Sequence, residues 1–362
     1  MADDNERLLD AITAILPPTL TGLDALAYAA RHLHPPGLPQ LVEAVLRYKA
    51  PVEAGLAVFA DARWPDDLKR FAEQVETSAR EVCAAFDGLE AAVGDPNGVL
   101  KAYRSMRRHT RATEALYPIA GSMPAVSRFF LEDAFRDDAA LLAKLAEADP
   151  ARDGVGVRHF SNGKDERGGF SLYVPEYYDP AQAYPLIFAL HGGSGHGRDY
   201  LWTWVKEARA RGAILVAPTS IEGTWSLTGP DEDTPNLEKI AAYVAEHWMV
   251  DPARQLLTGM SDGGTYSYVH GLREGSRFTH LAPSSAAFHP MLLTMSSTER
   301  LKDLPIYLMH GALDWMFPID MARQANAALS AAGAAVIYRE IEDLSHTYPR
   351  EENAKIMDWL LA

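Results

Sequence analysis

The chain has 362 residues, a length that suits two domains. Its 49 acidic against 34 basic side chains give a net charge of −15, which argues against nucleic acid as a partner and favours solubility. The one cysteine, Cys83, rules out an internal disulfide, and no apolar run reaches membrane-spanning length. The acidic start, Met1-Ala2-Asp3-Asp4-Asn5-Glu6, is unlike a basic secretory leader. A cytoplasmic protein without a membrane span is expected.

Up to about residue 150 the pattern is helical. Residues 1–34 and 98–148 read as shorter helices. Leu41, Val45, Tyr48, Val52, Leu56 and Phe59 form an apolar stripe that Pro51 is expected to kink. Leu68, Phe71, Val75, Ala79, Val82, Phe86, Leu89 and Val93 form a longer one. The short segment 61–65 between them predicts an antiparallel pair. Cys83 lies in that second helix as a buried, inert thiol. Arg104, Arg107, Arg108 and Arg111 form a basic cluster suited to interdomain salt bridges or to a substrate carboxylate. Residues 149–154 read as a linker. This gives a helical domain over 1–150, acting as a lid or as an oligomerisation or stabilising domain, and a second domain over 151–362.

After the linker, strands and helices alternate as in a mostly parallel, doubly wound α/β sheet. Strands are expected at 155–160 and 169–174 (an antiparallel pair), 185–190, 214–218, 255–259, 279–286, 305–309 and 336–341. Helices are expected at 198–211, 236–248, 262–272, 320–332 and 351–361. Residues 289–302 are too few for a large lid.

Chemistry-bearing residues fall just past strand ends. After 185–190 comes His191-Gly192-Gly193-Ser194-Gly195. It lacks the Gly-Lys-Ser/Thr ending of a phosphate loop and the Gly-x-Gly-x-x-Gly spacing. Its glycines suit a turn that aims backbone N–H groups at a developing oxyanion, with Gly193 as one donor. Leu256-Leu257-Thr258-Gly259-Met260-Ser261-Asp262-Gly263-Gly264 is a strand entering Gly-x-Ser-x-Gly, the nucleophile elbow. There Gly259 and Gly263 permit close strand–helix approach, and the N–H of Asp262 is the second donor. Asp314 follows 305–309, and His346 follows 336–341. A serine hydroxyl needs a base to react near neutral pH; His346 is suited to that role and Asp314 to orienting its ring. No metal-ligand motif occurs, and no cofactor is expected.

These residues carry a resemblance. Tyr184-Pro185 through Gly193, then Val250-Asp251-Pro252-Ala253-Arg254, Gly259 through Gly264 and His310-Gly311-Ala312-Leu313-Asp314 make residues 155–362 resemble the α/β-hydrolase superfamily. The branch resembled is that of esterases and polyhydroxyalkanoate depolymerases, with feruloyl esterases and phospholipase/carboxylesterases. The resemblance implies cofactor-free hydrolysis of a small-molecule carboxylic ester through an acyl-enzyme on Ser261. The same triad serves peptidases or amidases, thioesterases and lysophospholipases, and an inactive hydrolase fold can serve binding. Trp202, Trp225, Trp315 and Phe317, with His289, are candidate substrate contacts for an apolar or aryl group. His196 is expected to be a hydrogen-bonded structural residue, and Asp231-Glu232-Asp233 a solvated face.

Overall fold

The computed structural model describes residues 2–294 and 296–362. Two compact units are present, the first ending at Phe130 and the second spanning Leu131–Ala362.

The first unit holds α1 (Ala2–Arg31), α2 (Leu38–Leu46), α3 (Lys49–Ala60), α4 (Lys69–Glu90), α5 (Gly98–Leu116) and α6 (Pro124–Phe129). Instead of shorter helices at the start, α1 runs 30 residues through Pro17 and Pro18. The buried face Ala11, Ile15, Thr19, Leu23, Leu26 and Ala29 keeps helical spacing across the prolines, which lie off that face. Thr19 Oγ1 donates to the Ile15 carbonyl at 2.8 Å, and Thr21 Oγ1 to the Pro17 carbonyl at 3.0 Å. Pro51 does not kink a continuous helix either. The chain breaks between α2 and α3, so Pro51 falls in the first turn of α3, where its missing N–H has no partner to lose. Within this unit Arg108 pairs with Glu81 at 2.9 Å. Cys83 is half-buried rather than buried, and desolvation pushes its thiol up to about 11.

The second unit begins earlier than the expected boundary at residue 150. It comprises α7 (Ala139–Glu147), β1 (Gly156–Phe160), β2 (Phe170–Val174), β3 (Tyr184–Leu190), α8 (Gly197–Tyr200), α9 (Val205–Arg211), β4 (Ile214–Pro218), α10 (Asp233–His247) and β5 (Val250–Met260). Then follow α11 (Asp262–Gly271), β6 (His280–Ser284), α12 (Met291–Thr294), α13 (Thr298–Leu301), β7 (Pro305–Gly311), α14 (Ile319–Ala331), β8 (Ala335–Ile341) and α15 (Glu352–Leu361). The reason for the earlier boundary is packing. Leu131, Leu141 and Leu145 bury against Ala210 of α9, and Glu132 pairs with Arg211 through two bonds of 2.7 and 2.8 Å. Residues 131–150 therefore cover the second unit's own apolar surface.

The eight strands form one sheet in the order β1-β2-β4-β3-β5-β6-β7-β8. β1, β2 and β4 pair antiparallel, and the pairs from β4–β3 to β7–β8 are parallel. β3 and β4 are buried at every residue, which explains their unbroken apolar runs. β5 lies near the middle of the sheet, and the loops after β3, β5, β7 and β8 share its carboxyl rim. Among the described residues no helix is long and apolar enough to cross a membrane.

The packing of residues 131–150 is testable by truncation. A fragment 131–362 is expected to unfold in one cooperative transition. A fragment 151–362, which uncovers Ala210 and removes the Glu132 partner of Arg211, is expected to melt several degrees lower or to aggregate, as read by circular dichroism.

Candidate active site

Ser261 sits between β5 and α11 at φ 56° and ψ −121°, a backbone conformation that costs a non-glycine residue about 1–3 kcal/mol. The close approach that forces it is visible at both flanking glycines. A Cβ on Gly259 would lie 2.5 Å from the Gly263 carbonyl, and one on Gly263 would lie 2.3 Å from the Leu190 carbonyl of β3. The turn is held by Ser261 N–H donating to Ser284 of β6 at 3.0 Å, and by Thr265 N–H donating to Ser261 at 2.8 Å.

Three side chains from three loops meet here. The Ser261 hydroxyl and His346 Nε2 are 3.0 Å apart. His346 Nδ1 lies 2.8 and 3.1 Å from the two Asp314 oxygens, so Nδ1–H donates to the carboxylate. All three residues are buried. Asp314 Oδ1 also accepts from the N–H groups of Met316 and Phe317, at 2.9 and 2.8 Å. Burial by itself raises the Asp314 carboxyl. The His346 hydrogen bond and charge, the Phe317 N–H and His310 outweigh it and hold the carboxyl below its ordinary range. His310 is fully buried, and its Nε2–H donates to the Phe317 carbonyl at 2.8 Å, fastening the turn around Asp314. Desolvation is the main cause keeping the His310 imidazole below its ordinary value.

The glycine loop after β3 lies against this turn. A Cβ on Gly192 would be 3.4 Å from Ser261 Cβ. Gly195 N–H closes a turn onto the Gly192 carbonyl, and Ser194 N–H donates to Gly223. Among the described residues, the N–H groups of Gly193 and Asp262 donate to no protein acceptor. They are the two groups expected from the sequence as oxyanion donors.

The aromatic candidates separate. Phe317 packs edge-on against the His346 ring, centroids 5.3 Å apart, and Trp315 stands exposed in the same loop. Trp225, expected at the substrate, is 2 % exposed; its indole N–H donates to the His191 carbonyl at 2.7 Å and its ring stacks on Tyr266. It braces the glycine loop from behind. Trp202 is buried in a short helical turn, and His289 is exposed, with Nδ1 accepting from Met291 N–H at 3.1 Å. His196 caps α8 and bonds the Glu166 carbonyl through Nε2.

The run Asp231-Glu232-Asp233 is a solvated face only at Asp231 and Glu232, which are exposed. Asp233 is 1 % exposed and accepts from Ile221 N–H, Ser226 N–H and the Ser226 hydroxyl. It gathers the loop that carries Thr224 and Trp225. Asp231 accepts from the Tyr266 hydroxyl at 2.6 Å and pairs with Arg273 at 3.0 Å. Arg167, from the β1–β2 hairpin, donates to the carbonyls of Ser220 and Gly195 and secures the other side of the glycine loop. No sequence spacing marks Arg167, because its contacts lie 28 and 53 residues away.

Sheet order, elbow and the chain order Ser261, Asp314, His346 define an α/β-hydrolase. Residues 231–361 match the family described as phospholipase/carboxylesterase, and the second unit has the α/β-hydrolase fold. Feruloyl esterase C of Emericella nidulans is 31% identical over 170 residues, covering 44% of this chain and 60% of that protein. A protein named probable feruloyl esterase C, from Aspergillus terreus, is 32% identical over 160 residues, covering 42% of this chain and 56% of that one. The chain thus spans less than two thirds of the length of these curated relatives. A solved structure described as a thermostable esterase is 22% identical with a TM-score of 0.45, covering 57% of this chain and 62% of that one.

Behind the histidine loop lies another buried carboxylate. Tyr348 donates its hydroxyl to Asn353 Oδ1 at 2.8 Å, and Asn353 Nδ2 donates to Thr203 at 2.9 Å and to Glu207 Oε2 at 3.4 Å. Burial pushes the Glu207 carboxyl up to about 7, against the smaller opposing pull of a backbone bond and Asn353. Between its ordinary value of 4.5 and about 7, the folded chain holds a proton there that the unfolded chain releases, so stability falls as pH rises through that window. Glu207→Gln keeps an acceptor for Asn353 and removes the ionisation. Urea unfolding is expected to show that pH slope flattened, and the variant more stable than wild type above neutrality by up to about 3 kcal/mol.

Proposed function

We propose that the second unit hydrolyses carboxylic esters through an acyl-enzyme on Ser261. The observation that carries this reading is the continuous hydrogen-bond chain Ser261–His346–Asp314 beside the uncommitted N–H groups of Gly193 and Asp262. Ser261 Oγ attacks the ester carbonyl carbon while His346 Nε2 takes its proton. The carbonyl oxygen becomes an oxyanion held by the two N–H groups, each such donor being worth about 3–4 kcal/mol of barrier. Collapse breaks the bond to the alcohol oxygen, which leaves with the proton from His346. Water, deprotonated by His346, then attacks the acyl carbon; the acyl bond to Ser261 Oγ breaks, Oγ takes the proton back from His346, and the acid is released. Asp314 holds the ring with Nδ1 protonated and stabilises the imidazolium formed at each step.

The relatives named as feruloyl esterases support an ester with an aryl or apolar acyl part. Phe317, against the His346 ring, and the exposed Trp315 beside it offer flat surfaces for such a group.

Hydrolysis of p-nitrophenyl esters from acetate to decanoate, by wild type and Ser261→Ala, tests the assignment. Turnover by wild type with loss of at least about 10⁴-fold in the variant is expected, with fluorophosphonate labelling confined to wild type. Equal rates for the two proteins would remove Ser261 as nucleophile.

A further inference from the structure

The elbow carries a charge that the reaction just described does not use. Asp262 contributes its N–H, but its side chain turns back toward the glycine loop. Thr224 Oγ1 donates to Asp262 Oδ2 at 2.5 Å, and a Cβ on Gly193 would lie 2.6 Å from that same oxygen. Position 193 must therefore lack a side chain for this carboxylate to be seated. The carboxylate thus lies against the Gly193 backbone and on the residue that carries the second proposed oxyanion donor. Asp262 is half-buried, and among the described residues no Lys, Arg or His pairs with it. Its compensation comes from the first turn of α11, whose dipole favours an acidic side chain there and leaves the field toward the acyl group in place.

We propose that the Asp262 carboxylate selects the charge of the acyl group, so that esters with neutral or cationic acyl parts are hydrolysed and esters bearing a second carboxylate on a short acyl chain are rejected. This rests on the ester-hydrolase reading above. An acyl carboxylate three or four bonds from the reacting carbon comes within roughly 5–8 Å of Asp262. Two like charges at that distance near a protein surface repel enough for about a tenfold or larger difference in rate.

The test compares kcat/KM for p-nitrophenyl butyrate and mono-p-nitrophenyl succinate, equal in acyl length, each divided by its rate of hydrolysis by hydroxide. The full chain and Asp262→Asn are assayed at neutral pH and low ionic strength. Asparagine keeps an acceptor for Thr224 and leaves the backbone N–H in place. Wild type is expected to favour the butyrate by about tenfold or more, and the variant to lose most of that preference. Adding salt to about 0.5 M is expected to shrink the preference of wild type, an arm that requires no variant to fold. An enzyme that turns over the butyrate but treats both esters alike, or whose preference ignores both the substitution and salt, overturns the charge selection alone. No turnover of either ester together with no phosphonylation of Ser261 overturns the ester-hydrolase reading and this inference with it.

Discussion

The contact of β5 with α11 through Gly259 and Gly263 is the constraint on which the site depends. With no Cβ at either position, the helix begins almost on top of the strand, and Ser261 is left in a conformation it would not adopt unaided. The strain is held by bonds to β6 and within the first turn of α11, all on rigid elements. The result is a hydroxyl fixed at the sheet rim within reach of His346, with little conformational freedom left to lose during reaction.

Everything else at the site is arranged around that fixed point. His310 and two backbone N–H groups fix Asp314, and Asp314 fixes the His346 ring. On the other side, the glycine loop is too flexible by composition to hold its own shape. Trp225 and Arg167 reach it from two different segments, and Asp233 gathers the segment that carries Trp225. A site formed by loops thus gains rigidity from buried polar contacts a shell further out.

Much of this was legible in the sequence because it is local. The apolar runs of β3 and β7 end directly in the residues that matter, and Gly-x-Ser-x-Gly states its own geometry. What depended on distant partners was not legible. Asp233 looked like part of a solvated acidic run because its acceptor role is set by a loop folding back on it. Trp225 looked like a substrate contact because an aromatic residue at the rim gives no sign of which side its indole faces. The boundary near 150 followed the composition of a linker, whereas the division at Phe130 follows where Leu131, Leu141 and Leu145 find apolar cover. The continuous α1 was hidden by Pro17 and Pro18, although the buried spacing from Ala11 to Ala29 passes through them unbroken.

Cys83 gives the helical unit an internal clock. It is the chain's single cysteine, and its thiol, raised to about 11, offers almost no thiolate at neutral pH while α4 stays folded. Thiol reagents therefore modify the folded chain slowly and an opened α4 faster, and the second unit, which holds no cysteine, contributes no background to that signal. A single thiol in the first unit thus reports on that unit alone, with no second cysteine elsewhere in the chain to confound it.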